Sequence, residues 1–213
     1  MSSPTQAKEA VIVVHGLWVN SMIMRLLGYR IRRCGFDVAY FSYESARATL
    51  EQNAARLSRF AAALSANTLH WVGHSMGGLV VLRMLEQNAD PRIGRIVLMG
   101  SPSSGSYAAR ATAKTAAGRW LLGHSMPTHK INASIGGRCE VGVIAGNRGL
   151  GLGQLLISGL PKPNDGVVTV EETRLRGMKD HIVLKVSHSG MLFSSRAARE
   201  VCAFLKDGRF SRR

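Results

Sequence analysis

Carboxylates are scarce in this sequence: 13 aspartates and glutamates stand against 28 lysines and arginines, a net charge of +15 over 213 residues. Such an excess attracts anions by its summed field. The arginines are nevertheless scattered, and no aromatic-interleaved basic motif of a nucleic-acid reader is present, so no specific nucleic-acid partner is expected. A solvated basic surface and a weak association with anionic lipid are the two readings the charge allows. Cysteine is also sparse. Cys34, Cys139 and Cys202 are odd in number and lack CxxC or Cys/His ligand spacing, which excludes a metal site built on them. Free buried thiols in a reducing compartment are the expectation. Long apolar runs are missing as well: no segment approaches the roughly 18 consecutive apolar residues of a membrane span. The first ten residues have no basic n-region, and the run from Ala10 to Val14 is too short for a secretory signal. A cytoplasmic location follows as an expectation.

What is present is an alternation. Short β-branched runs at Val11 to Val14, Val38 to Phe41, Leu69 to Val72 and Ile96 to Met99 suit buried parallel strands. Glu140 to Ala145 and Ile182 to Val186 predict two more. Helical patterns fall between them: Val19 to Arg33, Ser45 to Ser65 with Leu50, Ala54, Leu57, Ala61 and Leu64 on one face, Met76 to Gln87, and Ser194 to Leu205. The length suits one α/β domain over residues 1–213, with about six mostly parallel strands, helices on both faces, and sites at the carboxyl ends of the strands. The Ala-, Ser-, Gly- and Thr-rich stretch 101–138 reads as a small cap. From Gly146 to Pro163 the glycines mark a long loop, since Gly149-Leu150-Gly151-Leu152-Gly153 lacks dinucleotide spacing.

The strand ending at Val72 runs through Gly73-His74-Ser75-Met76-Gly77-Gly78 into a helical pattern. This is the strand, G-x-S-x-G turn and helix of a nucleophile elbow, in which a strained turn lifts the serine Oγ above the sheet and flanking glycines avoid collisions. A second signal follows the first strand, where His15-Gly16-Leu17-Trp18 has the form of an oxyanion loop. Two backbone N–H groups, those of Leu17 and Met76, would face the developing oxyanion. His15, placed before Gly16, reads as a residue that fixes the loop.

In this chain order the acid and then the base must follow the serine. His188 comes just after the last predicted strand, whereas His124 and His129 lie in the cap and His181 opens the strand. Asp165, in Asn164-Asp165-Gly166-Val167-Val168, is the acid; an Asp-Gly turn without chemistry is the alternative there. Asp90 is too close to the nucleophile helix, Asp180 precedes its strand, and Glu171 and Glu172 are near misses. Trp18, Met22 and Met191 are candidate substrate-pocket residues.

With His15-Gly16, Gly73-His74-Ser75-Met76-Gly77-Gly78, Ser101-Pro102, Asn164-Asp165-Gly166-Val167-Val168 and His188 in this order, the chain resembles the lipase and esterase branch of the α/β-hydrolases, especially compact bacterial lipases and the PGAP1-like group. The resemblance implies a sheet without the two leading strands of larger members, a Ser75, Asp165 and His188 triad, and ester hydrolysis with no cofactor or metal. The short polar cap differs from the large apolar lid of long-chain lipases. A carboxylic-ester hydrolase acting on a small-molecule ester or acyl substrate is expected. Acyl transfer or thioester hydrolysis on the same triad is an alternative, and a non-catalytic binding protein using the basic surface is a third reading.

Overall fold

A computed structural model describes residues 8–87, 90–115, 139–149 and 159–212. Six parallel strands form one sheet: β1 (Glu9–Val14), β2 (Asp37–Phe41), β3 (Thr68–His74), β4 (Ile93–Met99), β5 (Val141–Gly146) and β6 (Asp180–Leu184), in the order β2-β1-β3-β4-β5-β6. Side chains alternate across a strand, so a sheet buried on both faces needs apolar residues at every position. β1 supplies them: Ile12 and Val14 point into the core formed with α2 (Leu50–Ala62) and α3 (Met76–Gln87), while Val11 and Val13 point into the opposite core with α1 (Arg25–Arg33). β3, β4 and β5 continue both layers, with Trp71, Leu98 and Val143 on the first side and Val72, Val97 and Ile144 on the second, while β6 adds Ile182 and Leu184 to the second.

The fold class and the six strands agree with expectation; several boundaries shift, for local reasons. The second predicted helix begins at Leu50 rather than Ser45, because Thr49 and Gln52 form a reciprocal capping box that fixes the first turn. The first splits into a 3₁₀ turn, Ser21–Met24, capped by the Asn20 side chain, followed by α1. The last strand starts at Asp180 and ends at Leu184, after which the Val186 amide bonds the Leu184 carbonyl and turns the chain. Three further helices and a 3₁₀ turn, Glu171–Thr173, complete the described elements: α4 (Tyr107–Thr112) and, after β6, the short α5 (Gly190–Phe193) leading into α6 (Ser195–Asp207). Most of the predicted cap, 116–138, and the glycine-rich 150–158 lie outside the described residues.

The cysteines depart from expectation. α1 packs on α6, and this brings Cys34, the residue that ends α1, against Cys202 in a disulfide across 168 residues of sequence. Cys139 is outside the bond. Two elements remote in sequence but neighbours on one sheet face place these thiols together, so three free thiols are not what the chain holds, and the thiols no longer argue for a reducing compartment. Among the described residues no helix is long and apolar enough to cross a membrane.

Candidate active site

β3 delivers the central residue. Ser75 sits between the end of β3 and the start of α3 with φ of 54°, a left-handed conformation that costs a non-glycine residue about 1–2 kcal/mol. Its amide bonds the Met99 carbonyl of β4 at 2.9 Å and its carbonyl accepts from the Gly78 amide at 3.0 Å, so neighbouring backbone holds the strained turn. The glycines have steric causes. A Cβ on Gly73 would lie 2.5 Å from the Cα of Gly78, one on Gly77 would strike the carbonyl oxygens of Val14 and His15, and one on Gly78 would strike Ser101 Oγ. The turn therefore closes only if β3, α3 and the end of β1 approach without side chains between them.

The loop after β1 meets this turn. A Cβ on Gly16 would lie 3.1 Å from Ser75 Cβ, so the His15-Gly16-Leu17 segment runs alongside the serine. Fully buried His15 donates from Nδ1 to the Gly16 carbonyl at 2.9 Å, accepts at Nε2 from the Tyr43 amide, and stacks on the Tyr43 ring at 4.4 Å. Tyr43 in turn donates its hydroxyl to the His15 carbonyl at 2.7 Å. Burial lowers the pKa of His15 and raises that of Tyr43, so both stay neutral and act as a clamp on the loop. The amides of Leu17 and Met76 are given to no other group among the described residues. Trp18, next in the loop, is held at φ of 60° with its amide on Ser45 Oγ at 3.1 Å.

Asp165 lies in the loop after β5 and is fully buried. One carboxylate oxygen accepts from the amides of Val167 and Val168 at 3.0 and 2.8 Å; the other accepts from His188 Nδ1 at 2.8 Å. The His188 amide also bonds the Asp165 carbonyl at 2.9 Å. Acid and imidazole are thus joined through main chain and side chain together. Asn164 fixes the loop by donating its amide to the carbonyls of Leu160 and Pro161 and accepting from Gly166. Gly100, with φ of 58°, lies beneath the pair: a Cβ there would sit 3.2 Å from both Asp165 Oδ2 and His188 Nδ1. Among the described residues no hydrogen bond joins Ser75 Oγ to His188, in keeping with catalytic hydrogen bonds that tighten only around substrate.

His74, whose motif position is unrestricted, contacts His188 from the elbow side. The rings stand 4.8 Å apart, and His74 Nε2 donates to the His188 carbonyl at 3.0 Å. Neither sequence pattern nor spacing signals that contact. Other acidic near misses have structural partners: buried Glu172 accepts from the amides of Tyr107 and Thr169, and Asp180 accepts from the Phe210 amide and Arg212. His181 bonds Thr173 Oγ1 at 3.1 Å, away from the pair. His124 and His129 lie outside the described residues. The three pocket candidates divide: Met191 is fully buried, its methyl group packed over Gly100 and Gly146, while Trp18 and Met22 are exposed on the outer surface. Trp18 lies in the loop after β1 and Met22 in the 3₁₀ turn that precedes α1. Among the described residues no cluster of His, Cys, Asp or Glu has the makings of a metal site.

Comparison with known proteins accords with the fold. No curated protein matches by sequence. The mature lipase BlEst2 of Bacillus licheniformis superposes with a TM-score of 0.74 at 20% identity, over 96% of this chain and 93% of that one. The metagenomic carboxyl esterase MGS0156 gives 0.70 at 17% identity, over 86% and 65%, and carboxylesterase CesB of Bacillus subtilis gives 0.61 at 15%, over 97% and 86%. At these identities the likeness is one of fold. Residues 9–126 match the family model described as alpha/beta hydrolase fold, and with the six-stranded parallel sheet and the elbow at Ser75 they make this chain a member of the α/β-hydrolase family.

Proposed function

We propose that the protein is a serine hydrolase that cleaves a carboxylic ester through an acyl-Ser75 intermediate. The observation that carries the reading is the 2.8 Å hydrogen bond between Asp165 and His188, with the His188 carbonyl bonded in turn to His74, the residue before the strained serine. His188 Nε2 takes the proton of Ser75 Oγ as that oxygen attacks the ester carbonyl. The carbonyl oxygen becomes an oxyanion and is met by the amides of Leu17 and Met76; removing one such donor costs roughly 100- to 1000-fold in turnover. The imidazolium, stabilised by Asp165, then protonates the departing alcohol. Water activated by His188 attacks the acyl-serine, the acid leaves, and the proton returns to Ser75.

The excess of 15 positive charges also draws the protein weakly toward anionic surfaces. The Cys34–Cys202 bond favours work in an oxidising compartment. A fluorophosphonate probe tests the catalytic reading: the protein should be labelled once, and Ser75→Ala should abolish both labelling and hydrolysis of p-nitrophenyl esters. Unlabelled intact protein, or a labelled Ser75→Ala variant, overturns it.

A further inference from the structure

Seven large apolar side chains are exposed among the described residues, and six of them, Trp18, Val19, Met22, Leu26, Tyr29 and Phe193, belong to the segment 18–29 or to α5, which packs beside α1. Met22, Leu26 and Tyr29 recur at four- and three-residue spacing. They form the outer stripe of a segment whose inner stripe, Met24, Leu27 and Ile31, is buried on the sheet. A helix that only covers a sheet needs one apolar face; this one has two. Met22 is 65% exposed, Tyr29 54% and Phe193 51%.

The charge around the outer stripe has one sign. Helical geometry places Arg25 and Arg32 along one side of it and Arg30 along the other, with Arg33 continuing it. No aspartate or glutamate occurs from Ala10 to Phe36. Among the described residues none of these four arginines is ion-paired, whereas cations elsewhere are, as in Arg92 with Asp90, Arg95 with Glu140 and Arg83 with Glu86. Arg30 donates to the Phe193 carbonyl at 2.8 Å and Arg32 to the Val38 carbonyl at 3.1 Å. The first bond ties the Arg30 guanidinium to α5 beside Phe193, and the Arg32 guanidinium lies over the Tyr40 ring at 5.4 Å; neither group is neutralised by a carboxylate.

We propose that this face seats the protein on an anionic lipid bilayer, with Met22, Leu26, Tyr29 and Phe193 entering the boundary between headgroups and acyl chains and the arginines meeting lipid phosphates. Apolar and aromatic side chains flanked by arginine are the composition that binds such an interface. A second copy of the chain fits poorly, because a self-complementary contact would set these arginines against their own kind. The face adjoins the site: Trp18 follows Leu17, and α5 begins two residues beyond His188. On the esterase reading above, docking turns the mouth of the site toward the bilayer, and amphiphilic esters drawn from it are the substrate class.

Sedimentation of the full chain with vesicles tests the proposal. It should partition onto equimolar phosphatidylcholine and phosphatidylglycerol, not onto phosphatidylcholine alone, and release as salt rises. Leu26→Ser with Tyr29→Ser, and separately Arg25→Gln with Arg33→Gln, should each lower partition by about tenfold or more. Arg59→Gln with Arg176→Gln, which removes equal charge from other surfaces, should leave it near the starting value. The arginine pair is wholly at the surface and keeps the test open if the apolar pair misfolds. Ser75→Ala should bind like the unaltered protein, so loss of docking and loss of hydrolysis are read separately. Failure to bind anionic vesicles, equal loss in the control pair, or a dimer in sedimentation velocity that Leu26→Ser with Tyr29→Ser dissolves would overturn the assignment.

Discussion

His74 Nε2 donates a hydrogen bond to the backbone carbonyl of His188 at 3.0 Å, so the residue before the strained serine holds the main chain of the imidazole that is to serve it. Burial, with the nearby His188 as the second cause, pushes the His74 pKa down to about 3. The ring is therefore neutral, its proton sits on Nε2, and Nδ1 is buried without a partner. His188 is thereby fixed at three points: its amide and Nδ1 on Asp165, and its carbonyl on His74.

His74→Leu removes the third point. Turnover should fall about 10- to 100-fold through misplacement of the imidazole, with stability lower by about 1–3 kcal/mol for the carbonyl left bare. His74→Gln, which can present an N–H in the same direction, should recover part of kcat while KM stays near its starting value. Steady-state kinetics with p-nitrophenyl esters reads both.

Asp165→Asn should keep the loop folded and lower kcat by roughly 10³–10⁴-fold, because the Val167 and Val168 amides hold the asparagine oxygen and turn its NH2 toward Nδ1, which forces the wrong imidazole tautomer and leaves an imidazolium without its anion. Burst kinetics on the variant should show acylation slowed. Retention of full activity would remove Asp165 from the machinery.

At Gly100 the backbone is left-handed and the Asp165–His188 bond lies over the Cα. Gly100→Ala should cost about 1–2 kcal/mol in conformation alone and displace the imidazole as well. A lower urea midpoint together with a fall in kcat is the expected pair of readings.

Stability should fall on mild acidification. His15, His70, His74 and His181 all have pKa values lowered from the ordinary 6.5, chiefly by desolvation. The unfolded chain then binds more protons than the native one below 6.5, so stability declines as pH drops through that value, and His74 continues the decline to about 3. Urea unfolding between about pH 7 and about pH 4.5 should show this slope, and His74→Gln should reduce it.

The strands were legible in the sequence because fully buried parallel strands must be short β-branched runs, as Val11 to Val14 and Ile96 to Met99 are. Their ends were less so, since pairing partners set them: β6 begins at Asp180 because Gly142 lies opposite it. The strained turn at Ser75 was legible from local pattern, because it joins a strand end to a helix start, and Asp165 and His188, which a hydrogen bond joins, were picked out by chain order. The His74 contact and the pairing of Cys34 with Cys202 are different in kind. They depend on which remote segments face each other across the finished fold, and no local periodicity encodes that. The outward display of Met22 was hidden for a similar reason, since apolar residues on both sides of α1 give the same pattern as a wholly buried helix.

The disulfide closes a covalent ring from residue 34 to residue 202, and Ser75, Asp165 and His188 all lie within it. A protease that severs any single peptide bond inside that ring opens it into a longer line without parting Ser75 from Asp165 and His188. Nicked molecules would migrate as intact protein until reduced.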